Sequence, residues 1–222
     1  MSRDAIMGAI QRGLKRGPLP TDQQAMLAAR MAAHHRHLVP ARGQLDLAGR
    51  IALFAQYVER EFGTVARLEN LQAVPGAITN YLAGQNIAPS IVVSPHPELE
   101  KIPFMDKPML QVRYGVASAQ DAVSLQHAFA GVAETGTLVL PSGPTRSTRN
   151  NLLPDTAIVL VHAADIYACY EDAFDRLRQA GGMPRNVMLV TGPSRSADIE
   201  QTLELGAHGP RRLHVLIIDG PG

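Results

Sequence analysis

The continuous apolar run Ala157–Val161, AIVLV, constrains this chain more than any other stretch. A strand that is apolar on both faces must be covered on both faces, a condition met by mainly parallel sheets flanked by helices. Similar runs recur at Ser90–Val93, Met109–Tyr114, Thr137–Leu140, Val187–Thr191 and Leu213–Ile218, with helical patterns between many of them. The expected fold class is therefore α/β, a mainly parallel sheet flanked by helices, with an N-terminal helical segment. Residues 1–40 read as that segment and residues 41–222 as the α/β domain.

The helical patterns differ in clarity. Ile6, Ile10 and Leu14 form one stripe on a short helix that Gly17-Pro18-Leu19-Pro20 ends. A second helix runs from Thr21 toward Pro40. Asp46 to Phe62 is the clearest, with Leu47, Ile51, Phe54, Val58 and Phe62 at steps of three and four. Strand Thr64–Leu68 follows, then a helix over Asn70–Gln85. Ser94–Pro108 holds four prolines and reads as an irregular excursion suited to a mobile flap or contact loop. Gln120–Gln126 and Ile166–Gln179 read as helices, Phe129–Ala133 as a short strand, and Ser142–Asn151 as a polar turn-rich segment.

Met188–Pro210 reads as the organising unit. The strand at Val187–Thr191 meets Gly192 and Pro193, a helix opens near Ser194–Ala197 with Ile199 and Leu203 on its inner face, and Gly206 to Pro210 turns into the last strand. That order is a βαβ unit, whose first loop lies at the carboxyl edge of the sheet.

Composition removes several classes. With 222 residues, 45% of them hydrophobic, the chain can bury a substantial core. A net charge of +1 gives no case for a nucleic-acid surface. The single cysteine, Cys169, precludes an internal disulfide or a cysteine-rich metal or iron-sulfur site made by this chain alone. His34, His35 and His37 are not spaced to share one helix face, so a solvated helix end is expected there rather than a metal site. No leader and no apolar run of roughly 18 residues stands in the sequence, which predicts a cytoplasmic protein. No dinucleotide fingerprint, phosphate-loop or nucleophile-elbow motif is present.

Three segments together resemble the LUD-domain family, the family of lactate utilisation protein C (LutC). They are AETGT at Ala133–Thr137, NLLPDTAIVLV at Asn151–Val161, and TGPSRSADIE at Thr191–Glu200 with its follower GAHGP at Gly206–Pro210. The resemblance covers roughly residues 40 to 220, with Ser196 where threonine is usual and Ala207 where valine is frequent. It implies a fold similar to the NagB/RpiA/CoA-transferase superfamily. It also implies a role in a three-component system oxidising L-lactate to pyruvate, with iron-sulfur clusters on LutA-like and LutB-like partners and no cofactor bound by this chain alone. The N-terminal helical layer is open to a homodimer contact.

Two catalytic candidates follow. Glu134, between an apolar strand and a Thr135-Gly136-Thr137 turn, could act as a nucleophile, as a glutamate does in the similar CoA-transferases, or could accept backbone hydrogen bonds and fix the turn. His208 reads as a general acid or base, or as a turn residue. Gly192, Pro193, Ser194, Arg195 and Ser196, at the start of the expected helix, form a cradle for a small carboxylate or phosphate, with Asp198 competing for the same dipole and Gly209 in the following turn. Arg146 could face the same crevice and hold an anion, or be a solvated surface group. The other expectations are a non-catalytic ligand-sensing domain or a free-standing CoA-transferase-like enzyme.

Overall fold

The computed structural model describes residues 2–15, 17–36, 38–197 and 203–220. Two compact units are present, Met1–Val39 and Pro40–Gly222. The first holds α1 (Arg3–Gly13), capped by the Ser2 hydroxyl, and α2 (Thr21–Ala33). α2 stops well short of Pro40, because His34 adopts a left-handed conformation at φ 44° and breaks the helical path. Neither helix buries a residue, and Ile6, Ile10 and Leu14 are all exposed. His37 lies outside the described residues.

The second unit is built on a six-stranded sheet, parallel throughout, as its continuous apolar runs require. In chain order its strands are β1 (Thr64–Leu68), β2 (Ser90–Val93), β3 (Gln111–Tyr114), β4 (Val123–His127), β7 (Thr156–His162) and β12 (Arg212–Ile218), and the spatial order is β1-β12-β7-β4-β2-β3. One face packs on α3 (Leu47–Arg60) through Ile51, Phe54 and Val58. The other packs on α4 (Val74–Gly84) through Val74, Ile78 and Leu82. Burying these apolar side chains contributes about 2 kcal/mol each.

A second sheet of four strands, in the order β8-β5-β6-β9, joins β5 (Ala130–Val132), β6 (Thr137–Pro141), β8 (Ile166–Tyr167) and β9 (Val187–Val190). It is covered by α7 (Tyr170–Gln179), whose Ala173 and Leu177 pack against Val132 and Val139.

Four expectations are corrected. Gln120–Gln126 is no helix; its second half is the central strand β4, where Val123 and Leu125 enter one core and Ser124 and Gln126 enter a buried polar network on the other face. The segment from Ile166 begins as strand β8, so α7 starts only at Tyr170, with buried Cys169 at its cap position. The excursion after β2 is anchored rather than loose, since Leu99, Ile102 and Phe104 are buried beside Ile78.

The fourth correction concerns the organising unit. No helix opens at Ser194–Ala197: β10 (Arg195–Ala197) pairs antiparallel with β11 (Leu203–Leu205). β9 pairs with β6 in the smaller sheet while β12 lies in the larger, so the two flank no common crossover. Asp198 and Ile199 lie outside the described residues.

Candidate functional site

Three neighbouring parallel strands end in histidine-bearing segments. β4 ends at His127, β7 ends at His162, and His96 stands three residues beyond the end of β2. Because the strands run the same way and lie side by side, all three rings meet at the carboxyl edge, where open parallel sheets place their ligands. The His96 and His127 rings stack with centroids 4.5 Å apart, and His162 lies 5.7 Å from His127 in a tilted contact.

Arg146 is delivered into this group by the polar loop after β6. The loop is folded by paired backbone bonds between Gly143 and Arg146 and then fixed by α6 (Thr148–Leu152). Asn150 of α6 is fully buried and satisfied: its Nδ2 donates to the Ser94 hydroxyl and the Gly115 carbonyl, and its Oδ1 accepts from Ala117 N–H at 2.7 Å. Its carbonyl accepts from Ser124 Oγ and Gln126 Nε2 of β4. A buried network with every member paired is rigid. So anchored, the loop lets Arg146 Nη1 donate to the His127 carbonyl at 2.7 Å, while Nη2 lies 2.9 Å from His96 Nε2 and 3.2 Å from His127 Nδ1.

The electrostatics favour an anion. Burial, followed by the Arg146 charge, lowers His96 to about 4 and His127 to about 2, so both rings are neutral near pH 7. Burial lowers Arg146 only to about 10, so it keeps its charge. The three side chains line a narrow cavity with Ser94, Thr145 and Asn151, whose free space of about 10 Å³ holds about one water molecule. On the far side of His127, His162 Nε2 lies 3.1 Å from Glu98 Oε1, and Glu98 Oε2 accepts from Lys101 at 2.8 Å. Burial opposes ionisation of Glu98, but the bond from Lys101 and the interaction with His162 outweigh it and hold the carboxyl below its usual value. His162 Nε2–H donates to this carboxylate, and its buried Nδ1 has no hydrogen-bond partner among the described residues.

The residues singled out from sequence fall elsewhere, except Arg146. Glu134 sits in the β5–β6 turn, 3% exposed, with Oε1 accepting from Tyr170 N–H at 3.3 Å and Oε2 unpartnered among the described residues. Thr135 and Thr137 share hydrogen bonds with the Tyr170 hydroxyl, and Thr137 Oγ1 lies 2.6 Å from Thr191 Oγ1. Gly136, at φ 65°, brings the turn against α3, where a Cβ would lie 2.6 Å from that of Tyr57. The histidine group lies beside Leu140 and Pro141, at the opposite end of β6, about 13 Å away at the rise of a strand.

The expected anion cradle has no helix to build it. Ser194 N–H donates to the Pro210 carbonyl and Ser194 O accepts from Gly206 N–H, so these backbone groups close the β10–β11 arm. Arg195 is paired with Glu61 and lies over the Phe62 ring at 5.0 Å. Gly192 packs on the Glu61 carbonyl. Pro193, Ser194, His208 and Gly209 line a cavity of about 200 Å³ with Met188 and Leu213, at the amino edge of the large sheet. No hydrogen bond joins His208 to Glu134 among the described residues. The side chain of Ser196 lies outside the described set.

The histidines were missed because they are far apart in sequence. The available signal was local and partial: SIVVSPH and TAIVLVH each place histidine at or just after the end of an apolar run, whereas VSLQH has polar residues at alternate positions.

Comparison with known proteins follows this geometry. The LUD domain family model matches residues 116–218, a span that includes His127, Arg146 and His162. Lactate utilization protein C of Bacillus subtilis is 40% identical over 93 residues, 40% of this chain and 39% of that protein. That of Macrococcus caseolyticus is 34% identical over 92 residues, 40% of each chain. An uncharacterized protein of Neisseria meningitidis serogroup B is 42% identical over 89 residues, 40% of this chain and 38% of that one. The chain thus spans about two fifths of the length of the curated relatives it matches. A crystal structure of a DUF162 family protein from Deinococcus radiodurans superposes with a TM-score of 0.58 at 20% identity, over 78% of this chain and 99% of that one, and shows the same fold. Residues 116–218 thus match the LUD domain family model, and the chain is similar to lactate utilization protein C over about two fifths of its length.

Proposed function

We propose that this chain serves lactate utilisation as a LutC-like component that bears no cluster, working in the cytoplasm with iron-sulfur partners similar to LutA and LutB. Its own contribution is to take a carboxylate oxygen of a 2-hydroxy or 2-oxo acid into the water-sized space beside Arg146, at the carboxyl edge of the sheet. The observation that carries this reading is Arg146: a partly buried cation locked on the His127 carbonyl between two neutral rings, inside the span matched by the LUD domain model. A fixed guanidinium in a poorly hydrated cavity recognises a carboxylate through paired hydrogen bonds.

Cluster chemistry falls to the partners in this reading, because the one cysteine is buried at the start of α7 and burial pushes its thiol up to about 11. A lone, protonated thiol cannot ligate a cluster by itself. The test is affinity capture of the tagged chain from its source cells grown on lactate, with mass spectrometry and iron assay of the eluate. Recovery of cysteine-rich, iron-containing partners is expected. Recovery of the chain alone, where those partners are expressed, would overturn the subunit role.

A further inference from the structure

Both ring nitrogens of His96 face N–H donors. Glu98 N–H points at Nδ1 from 3.3 Å, and the Arg146 guanidinium, which has only donors, lies 2.9 Å from Nε2. A neutral imidazole has one proton and one acceptor, so it can satisfy only one of them. The shorter contact with the charged donor wins, which leaves the proton on Nδ1, opposed to the Glu98 amide. An imidazolium would set donors against donors on both sides.

We propose that a ligand oxyanion displaces the direct contact between Arg146 Nη2 and His96 Nε2, and that its arrival moves the His96 proton from Nδ1 to Nε2. The inference rests on the reading of Arg146 as a carboxylate site. The oxyanion accepts from Arg146 Nη2 and from the new His96 Nε2–H, and the freed Nδ1 accepts the Glu98 N–H. The exchange runs between neutral tautomers through water, so no net proton is gained or lost. His96 becomes a positioning residue that ties site occupancy to the short helix α5 (Pro97–Glu100). The charged and titratable groups around it are Arg146, Glu98, Lys101 and the stacked His127, and none needs to change charge.

The test uses the full chain with ¹⁵N-labelled histidine at pH 7.5, titrated separately with L-lactate and inorganic phosphate. Long-range ¹H–¹⁵N spectra report the tautomer, hydrogen exchange reports the Glu98 amide, and calorimetry in buffers of different ionisation heat counts protons. The expected result is conversion of His96 from Nδ1–H to Nε2–H at saturation, slower exchange at Glu98, and no proton uptake. Either anion supports the mechanism; lactate binding identifies a carboxylate ligand, and phosphate alone identifies a phosphate-bearing one. His96→Gln, which keeps amide N–H donors but has no tautomers to exchange, should bind roughly tenfold more weakly and leave the Glu98 amide unchanged. Binding with an unchanged His96 tautomer, uptake of about one proton, or a persistent Glu98 response in His96→Gln would each overturn the inference while leaving the carboxylate site standing. No binding of either anion would overturn both.

Discussion

Asn150 donates to the Ser94 hydroxyl at 2.9 Å and thereby ties the loop that carries Arg146 to the strand end that leads into His96. The two sides of the anion cavity are held in register by one buried amide. Asn150→Ala removes the partner of the Ala117 N–H, the Ser94 hydroxyl and the Gly115 carbonyl. Its expected cost is about 2–4 kcal/mol in denaturant unfolding, together with weakened anion binding. A variant as stable as the native chain would refute the anchoring role.

Gly136 combines a left-handed φ of 65° with contact against the α3 backbone. Gly136→Ala should destabilise by more than about 2 kcal/mol, because strain and overlap add. Thermal unfolding at fixed pH checks this, and a change below about 0.5 kcal/mol would contradict the close packing of that turn.

Glu134→Gln preserves the acceptor for Tyr170 N–H and lies at the far end of β6 from Arg146. The variant should fold and bind anion as the native chain does. Incubation of the native chain with acyl-CoA donors should leave no adduct on Glu134 by mass spectrometry; an adduct lost in the variant would restore the nucleophile role.

Burial, above all, lowers His214 and His96 from 6.5 to about 4, and His127 to about 2. In the unfolded chain these imidazoles return to about 6.5, so between about pH 6.5 and 4 the unfolded chain binds more protons. Their contribution to stability is complete above about pH 7 and declines as pH falls through that window. His214 stacks on Tyr81 at 3.9 Å, so His214→Phe preserves a ring there while removing one titrating group. Urea unfolding at pH 7.0, 5.5 and 4.5 should show a shallower acid decline in that variant. An unchanged decline would mean that His214 does not stay neutral in the fold.

The apolar strands were legible because burial on both faces writes itself into sequence as an uninterrupted run, as at Ala157–Val161. β4 was not, because Ser124 and Gln126 are buried against Asn150 rather than against aliphatic side chains, and local pattern cannot show that a polar residue has a distant partner. The four-residue step from Ile199 to Leu203 mimicked a helix across what is in part a β-hairpin. Arg146 was legible as a candidate anion-binding residue, whereas its company was not: His96, His127 and His162 converge only because β2, β4 and β7 are adjacent in the sheet.

Calorimetric titration of the full chain with L-lactate and pyruvate, alongside Arg146→Met, tests the central claim most directly. Methionine keeps much of the side-chain volume and removes the charge. The account predicts saturable binding of at least one of the two acids and a loss of roughly tenfold or more in the variant, with unfolding showing that the variant remains folded. Equal binding by both proteins, or none by the native chain, would contradict it.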